Sequence, residues 1–300
     1  MHGVLIIDKP EGLTSHDVVN RIRRVLGTRR VGHTGTLDPF ATGVMVVLIG
    51  QATRLAQFID KDQKEYEATI RFGFETDTGD RTGSPKSKVQ SPKSVDREKL
   101  KTALRDLTGE IEQVPPMYSA KKVAGKKLYE HARRGETIER AAQRVFIDLL
   151  EIVDASRLDA EDPQLMIRVV CSAGTYIRVL AEDIGREIGV GAHLAELRRV
   201  RSGRSMIGEA VTLDELAAAS DPSSLLLPVE RIVEHLPSFT LPAARVERAR
   251  NGLSTTLGVD PTFDDKAPIR MLDENGSLIA IGRYNAAENS IKPTVVLAIE

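Results

Sequence analysis

From the N-terminus, Val4 to Ile7 is a short apolar run closed by Asp8-Lys9-Pro10, the pattern of a strand that delivers Lys9 to a turn. Thr14 or Ser15 is placed to cap a helix, and Val18, Val19, Ile22, Val25 and Leu26 follow at helical spacing until Gly27. Arg21, Arg23 and Arg24 therefore fall largely off the buried stripe. Gly43 to Ile49 is nearly continuous apolar sequence, as in a strand covered on both faces, and Ala52 to Ile59 predicts a short helix. Tyr66, Ala68, Ile70 and Phe72 alternate with polar residues, so they predict a strand with one buried face.

Residues 75–94 are rich in Thr, Asp, Gly, Ser, Pro and Lys and carry no apolar period, which predicts a long exposed connection. A helix over Val95 to Leu107, strands over Val145 to Val153 and Leu165 to Cys171, and a helix over Thr175 to Ile188 follow. Thr212-Leu-Asp-Glu215 has the spacing of a capping box. Pro237 and Pro242 mark a change of character. Beyond them, a helix near Ala243 to Asn251 and strands near Ile269 to Leu272, Leu278 to Ile281 and Thr294 to Ile299 predict a small β domain. This divides the 300 residues into 1–236 and 237–300.

Composition narrows the chemistry. Cys171 is the only cysteine, so an intrachain disulfide and a cysteine-based metal site are both excluded. No apolar run approaches the roughly 20 residues of a membrane span, and the first residues do not build a signal core, so a cytoplasmic protein without membrane association is expected. Net charge is −1, from 42 Lys plus Arg against 43 Asp plus Glu, but the cations are clustered. Arg21, Arg23, Arg24, Arg29 and Arg30 form one group. Lys121, Lys122, Lys126, Lys127, Arg133 and Arg134 form a second, and Arg198, Arg199, Arg201 and Arg204 a third. Three such clusters beside glycine- or aromatic-containing motifs point to a nucleic-acid footprint.

The segment Val31 to Pro39, V-G-H-T-G-T-L-D-P, aims a single carboxylate. Gly32 and Gly35 supply backbone freedom, Thr34 and Thr36 can bond the local backbone, and Pro39 fixes the chain direction just after Asp38. An aspartate so held can be a nucleophile, a general base or an ion-pair partner. Other catalytic schemes lack their parts. There is no G-x-S-x-G elbow to activate Ser119, no G-K-[ST] ending for a P-loop, and Asp77-Thr78-Gly79 occurs once where an aspartic protease needs two.

Four more segments accompany this loop: I-D-K-P-E-G-L-T-S at 7–15, K-E-Y-E-A at 64–68, Q-V-P-P-M-Y-S-A-K-K at 113–122 and C-S-A-G-T-Y-I-R at 171–178. With G-A-H-L-A-E-L-R-R at 191–199, they make the chain resemble bacterial tRNA pseudouridine synthases of the TruB type over roughly residues 4–235. The resemblance implies isomerisation of the uridine at position 55 in the TΨC stem-loop of tRNA: the N1 glycosidic bond breaks and the base rejoins through C5. It implies no cofactor and no metal.

Residue by residue, Asp38 matches the family's essential aspartate, Tyr66 the tyrosine that stacks on the target base, and Arg178 the arginine that pairs with the aspartate. Tyr176 and Leu197 match residues lining the uridine pocket, with Leu197 also readable as helical core. His33 matches a histidine that fills the space of extruded nucleotides, and Lys9 with Pro10 a segment supporting the active-site loop beside the RNA. Lys121 and Lys122 lie where relatives close over the RNA arm.

The implied fold is α+β: a pseudouridine-synthase core with a central, mainly antiparallel mixed sheet and flanking helices. It carries an RNA-clasping insertion at about 75–142 and a small C-terminal PUA-like β domain. No coiled coil or long apolar stripe calls for a protein partner, so a monomer is expected. Two rival readings are a non-catalytic RNA-binding or RNA-folding protein on the same scaffold and a phosphoryl-transfer enzyme using an aspartyl intermediate.

Overall fold

A computed structural model of the chain describes residues 1–59, 63–86, 95–119, 121–123, 126–132, 134–136, 138–258 and 263–297. In chain order its elements are β1 (Gly3–Lys9), α1 (Ser15–Val25), β2 (Val31–His33), β3 (Thr42–Ile49), a 3-10 segment (Gly50–Phe58) and β4 (Lys64–Phe72). Then come α2 (Arg97–Asp106), β5 (Gly109–Gln113), β6 (Lys122–Val123), β7 (Lys126–Lys127), α3 (Leu128–Ala132), β8 (Gln143–Asp154) and β9 (Gln164–Cys171). The rest is α4 (Ile177–Ile188), β10 (Ala192–Ser202), β11 (Ser205–Met206), α5 (Leu213–Ala218), β12 (Ser238–Thr240), α6 (Ala243–Arg250), β13 (Thr255–Thr256), β14 (Pro268–Leu272), β15 (Leu278–Asn285) and β16 (Ser290–Val296).

Nine strands form one sheet in the order β1-β3-β10-β4-β9-β8-β5, with β2 added to β3 and β11 to β10. Every pairing is antiparallel except β3 with β10, so the sheet is mixed and mainly antiparallel, as expected. A five-stranded sheet, β12-β14-β15-β16-β13, is built from residue 238 onward.

The apolar patterns explain the layers. On β4, Tyr66, Ala68, Ile70 and Phe72 point into a core closed by Leu100, Ala103 and Leu104 of α2 and by Ile177, Leu180, Ala181, Ile184 and Ile188 of α4. The continuous apolar runs of β1 and β3 are covered on both faces. Leu5, Ile7, Met45, Val47 and Ile49 meet Val18, Val19 and Ile22 of α1. Val4, Ile6, Val44, Val46 and Leu48 meet Leu55 and Phe58 on the other side, together with Leu278, Ile281 and Val295 of the second sheet. The second sheet is thus docked on the first through apolar contact.

Several expectations change. The short helix expected over Ala52 to Ile59 is a 3-10 helix, Gly50–Phe58. Residues 192–202, where Leu197 was also readable as helical core, are the strand β10 at the middle of the sheet. Register shifts between Leu194 and Glu196 and between Arg199 and Arg201 break its alternation, which hides the strand from a period-of-two reading. The short strands β2, β5, β12 and β13 also lack a readable pattern. Residues 75–86 are only partly the exposed connection expected: Asp77, Arg81, Thr82, Ser84, Pro85 and Lys86 are exposed, but Thr76 and Asp80 are buried, with bridges from Thr76 to Pro85 and from Asp80 to Leu194. Residues 87–94 of that stretch, and 298–299 of the expected last strand, lie outside the described residues.

Candidate active site

The loop carrying Asp38 is gripped on both sides of the acid. Thr14 caps α1 in a capping box with Asp17. This frees the next residue, the buried Ser15, whose hydroxyl donates to Leu37 O at 3.1 Å and accepts from Leu37 N–H at 2.9 Å. On the far side, Pro39 O accepts from Gly12 N–H at 2.8 Å and from Lys9 Nζ at 3.2 Å. Lys9 is fully buried and also donates to Pro10 O at 2.8 Å and Leu13 O at 2.7 Å. All three ammonium donors thus go to backbone carbonyls, so Lys9 braces the loop and has no donor left for RNA. Burial lowers its pKa to about 8, although the charges of Asp38 and Glu11 pull the other way.

The loop geometry also differs in detail from its sequence reading. Neither Gly32 nor Gly35 sits at positive φ, and Val31 to His33 is a strand paired with β3. Gly35 matters for close approach instead: a Cβ there would lie 3.3 Å from Lys64 Nζ and 3.4 Å from Arg199 Nη1.

Opposite Asp38, Arg178 stands in the first turn of α4, directly after the N-cap residue Tyr176 and Ile177. Its Nε meets Asp38 Oδ2 at 2.9 Å and its Nη2 meets Asp38 Oδ1 at 3.4 Å, a two-pronged contact between fork and carboxylate. The guanidinium is itself buried and held: Nη1 donates to Thr78 O at 2.8 Å, Nη2 to Tyr118 O at 2.7 Å, and Asp80 Oδ2 lies 3.7 Å from Nη1. Asp80 is locked in turn by Thr78 Oγ1 at 2.9 Å, Thr82 N–H at 2.9 Å and Thr82 Oγ1 at 2.6 Å. Gly79 allows this loop to pass close to α4, since it takes φ +73° and a Cβ there would sit 3.4 Å from the Cβ of Arg178. At the start of α4, the buried Gln113 clamps Tyr176, accepting from its N–H at 2.9 Å and donating to its carbonyl at 3.3 Å.

These elements enclose a cavity of about 260 Å³ lined by Asp38, Tyr66, Tyr176, Arg178 and Leu197, together with Lys64, Ser119 and Lys121. Among the described residues Asp38 is the only carboxylate in that lining, and its side chain keeps 31% of its surface open. Desolvation pushes the Asp38 carboxyl above the usual carboxylate range; Arg178 and Lys9 oppose this, while Asp80 adds to it. Tyr66 both joins the apolar core and faces the cavity, and burial raises its phenol. His33 lies apart, in an adjoining cavity of about 400 Å³ that shares Lys64 with the first.

Six of the sequence-selected residues, Asp38, Tyr66, Tyr176, Arg178, Leu197 and Lys121, therefore converge on one pocket, His33 lines its neighbour and Lys9 lies beneath. The side chain of Lys122 falls outside the described residues. The third basic cluster is mostly internal: Arg198 pairs with Asp8 at 2.7 Å, Arg201 with Glu65 at 3.0 Å, and Arg199 is buried; only Arg204 is exposed, paired with Glu234. In the first cluster Arg21, Arg24, Arg29 and Arg30 are exposed. Sequence reasoning missed Lys64 in the lining and Asp80, Gln113 and Ser15 behind it. Each lies within or beside a segment already singled out, but a buried polar side chain has no periodic signature.

The model for the TruB family pseudouridylate synthase N-terminal domain matches residues 23–177, and that for the tRNA pseudouridylate synthase B C-terminal domain matches 178–234. The chain belongs to the TruB family. A tRNA pseudouridine synthase B from Geobacillus thermodenitrificans (strain NG80-2) is 43% identical over 300 residues, covering 99% of each chain. Another, from Aromatoleum aromaticum (strain DSM 19018 / LMG 30748 / EbN1), is 50% identical over 243 residues, 80% of this chain and 77% of that protein. Among solved structures, a Cbf5-Nop10-Gar1 complex contains a chain matching with TM-score 0.70 and 27% identity, over 99% of this chain and 84% of that one. A chain of an H/ACA RNP bound to a substrate RNA containing 2′-deoxyuridine shares the fold at TM-score 0.73 and 24% identity, over 99% of this chain and 85% of that one. This TruB-family member is accordingly a tRNA pseudouridine synthase, an isomerase acting on RNA. Among its described residues no helix is long and apolar enough to cross a membrane.

Proposed function

We propose that the protein converts the uridine at position 55 in the TΨC loop of tRNA to pseudouridine, with Asp38 as the essential catalytic carboxylate. The observation that carries this reading is the pairing of Asp38 with Arg178 at 2.9 Å in a cavity with no second lining carboxylate among the described residues. A reaction that detaches a base and rejoins it through another atom needs one group that can attack a sugar or base carbon, or take a sugar proton, and then be regenerated. Arg178 orients that group and favours its ionised form. Tyr66 provides an aromatic face for a base drawn out of its loop, and Tyr176 and Leu197 complete the pocket. His33, in the adjoining cavity, occupies the space vacated by extruded nucleotides, and Lys121 and Lys122 contact phosphate as residues 75–142 clasp the arm. Residues 1–236 form the catalytic domain and 237–300 a PUA-like RNA-binding domain, acting in the cytoplasm as a monomer without a cofactor. The change of sheet at residue 238 supports that division. The decisive experiment is mass mapping of pseudouridine in an unmodified tRNA transcript: product at position 55 is expected, and product elsewhere or none overturns the reading.

Two further outcomes follow. Tyr66→Phe is expected to keep most of the stacking, whereas Tyr66→Leu loses about 1–3 kcal/mol of it, or roughly 5- to 150-fold in kcat/KM. Equal activity of the two variants argues against a base-facing ring. The acid limb of kcat/KM should titrate above the ordinary aspartate value of about 3.9, because burial raises Asp38 and the reactive form is the carboxylate. Activity is lost as pH falls through that raised value, and a limb at or below about 3.9 contradicts the assigned form.

A further inference from the structure

Lys64 lies in the wall between the two cavities, and the buried Arg199 stands directly behind it. Lys64 opens β4 and lines both cavities, and among the described residues its ammonium makes no hydrogen bond or ion pair. Arg199 is 1% exposed on the neighbouring strand β10. Its Nε donates to Val44 O at 2.7 Å and its Nη2 to Gly35 O at 3.2 Å; the guanidinium approaches the Tyr66 hydroxyl, but Nη1 has no well-formed hydrogen bond. The two cations converge on one place, since Lys64 Nζ and Arg199 Nη1 lie 3.3 and 3.4 Å from the point a Cβ on Gly35 would fill. Among the described residues no carboxylate is paired with either. Two cations brought together without a counter-charge disfavour each other, and Lys64 shows it: burial, with the Arg199 charge, lowers its pKa to about 8. An anion is the group this arrangement lacks.

We infer that Lys64 and Arg199, meeting over Gly35, form a seat for one phosphodiester of the RNA backbone next to the target uridine. This inference rests on the proposed RNA isomerase reading and adds the group that fixes the backbone while the base enters the Asp38 pocket. The seat lies between the cavity holding Asp38 and the cavity holding His33, where a strand turned inside out passes from one to the other. Its ligand is singly charged, tetrahedral and approached from the cavity side. Lys64 supplies the movable donor that reaches the cavity, and the buried Arg199 adds a fixed positive charge behind it. Gly35 lets the two cations approach, since a Cβ there would crowd both.

The test combines protein and RNA changes. The probe is a tRNA TΨC stem-loop carrying a neutral methylphosphonate at the linkage 5′ or 3′ to the target uridine, compared with the all-phosphate RNA. For one of these linkages, neutralisation should weaken binding to the wild-type protein about tenfold, and Lys64→Met should weaken the all-phosphate RNA similarly. The two changes together should cost no more than either alone, and Lys64→Met should lower the salt slope by about one. Lys64→Arg should restore much of the affinity, and Gly35→Ala, which keeps both charges but fills the space, should weaken the all-phosphate RNA. Thermal melts separate loss of the seat from loss of the fold. Losses that multiply to about 100-fold at both linkages, or an unchanged salt slope, overturn the seat. Pseudouridine formation by the wild-type protein is read in the same series: its absence overturns the isomerase reading, whereas product formation with multiplying losses overturns only the phosphate seat.

Discussion

Asp38→Asn is expected to lower pseudouridine formation by at least about 1,000-fold while leaving tRNA affinity within a few fold. Asparagine keeps the shape of the side chain, and the loop remains gripped through Leu37 O and Pro39 O, neither of which involves the acid. Arg178 also stays in place through Thr78 O and Tyr118 O. What disappears is the only carboxylate that the described residues give the pocket lining. Removing a negative charge beside a polyanion does not weaken its approach. Single-turnover mass mapping with a parallel filter-binding titration checks both halves, and near-normal product formation refutes the assignment of Asp38.

Arg178 is the second residue whose loss should be large, and its two replacements should fail differently. Arg178→Met leaves Asp80 and Asp38 facing each other without their shared cation in a buried site. The expected destabilisation is about 3–5 kcal/mol, seen in thermal or denaturant unfolding. Arg178→Lys keeps a charge but not the fork that reaches Asp38, Thr78 O and Tyr118 O together. Its fold should hold while kcat/KM drops by about 100-fold, with the acid limb moved to higher pH as the Asp38 carboxylate loses its best counter-charge. A lysine variant with the wild-type rate and the same limb shows that the guanidinium merely fills space.

The sequence was most readable where one simple period governs a segment. The alternation from Tyr66 to Phe72, the helical stripe of α1 and the capping box at Thr212 all appear in the structure. Strand β10 escaped because two register shifts and a run of arginines interrupt its alternation, although it joins β3 to β4 at the centre of the sheet. The arginines there looked like an RNA footprint. Sequence composition does not distinguish a solvated arginine from one bonded to Asp8 or Val44 O, since that depends on the strand alongside. At the site, the motif segments supplied the residues that face the cavity. The residues behind them act across long separations, Ser15 and Gln113 through hydrogen bonds to segments 22 and 63 positions away and Asp80 through an ion pair 98 positions away, beyond the reach of local pattern.

Asp38 and Arg178 are 140 residues apart in the chain. Their meeting requires β10 to come in parallel beside β3, so the acid loop cannot face α4 until nearly two hundred residues are available to fold. Such non-local closure is slow relative to the local formation of α1 or α4. A nascent chain still on the ribosome therefore carries an exposed, positively charged first helix before it carries a catalytic centre. In a refolding experiment, affinity for RNA should return in an earlier kinetic phase than the ability to modify it.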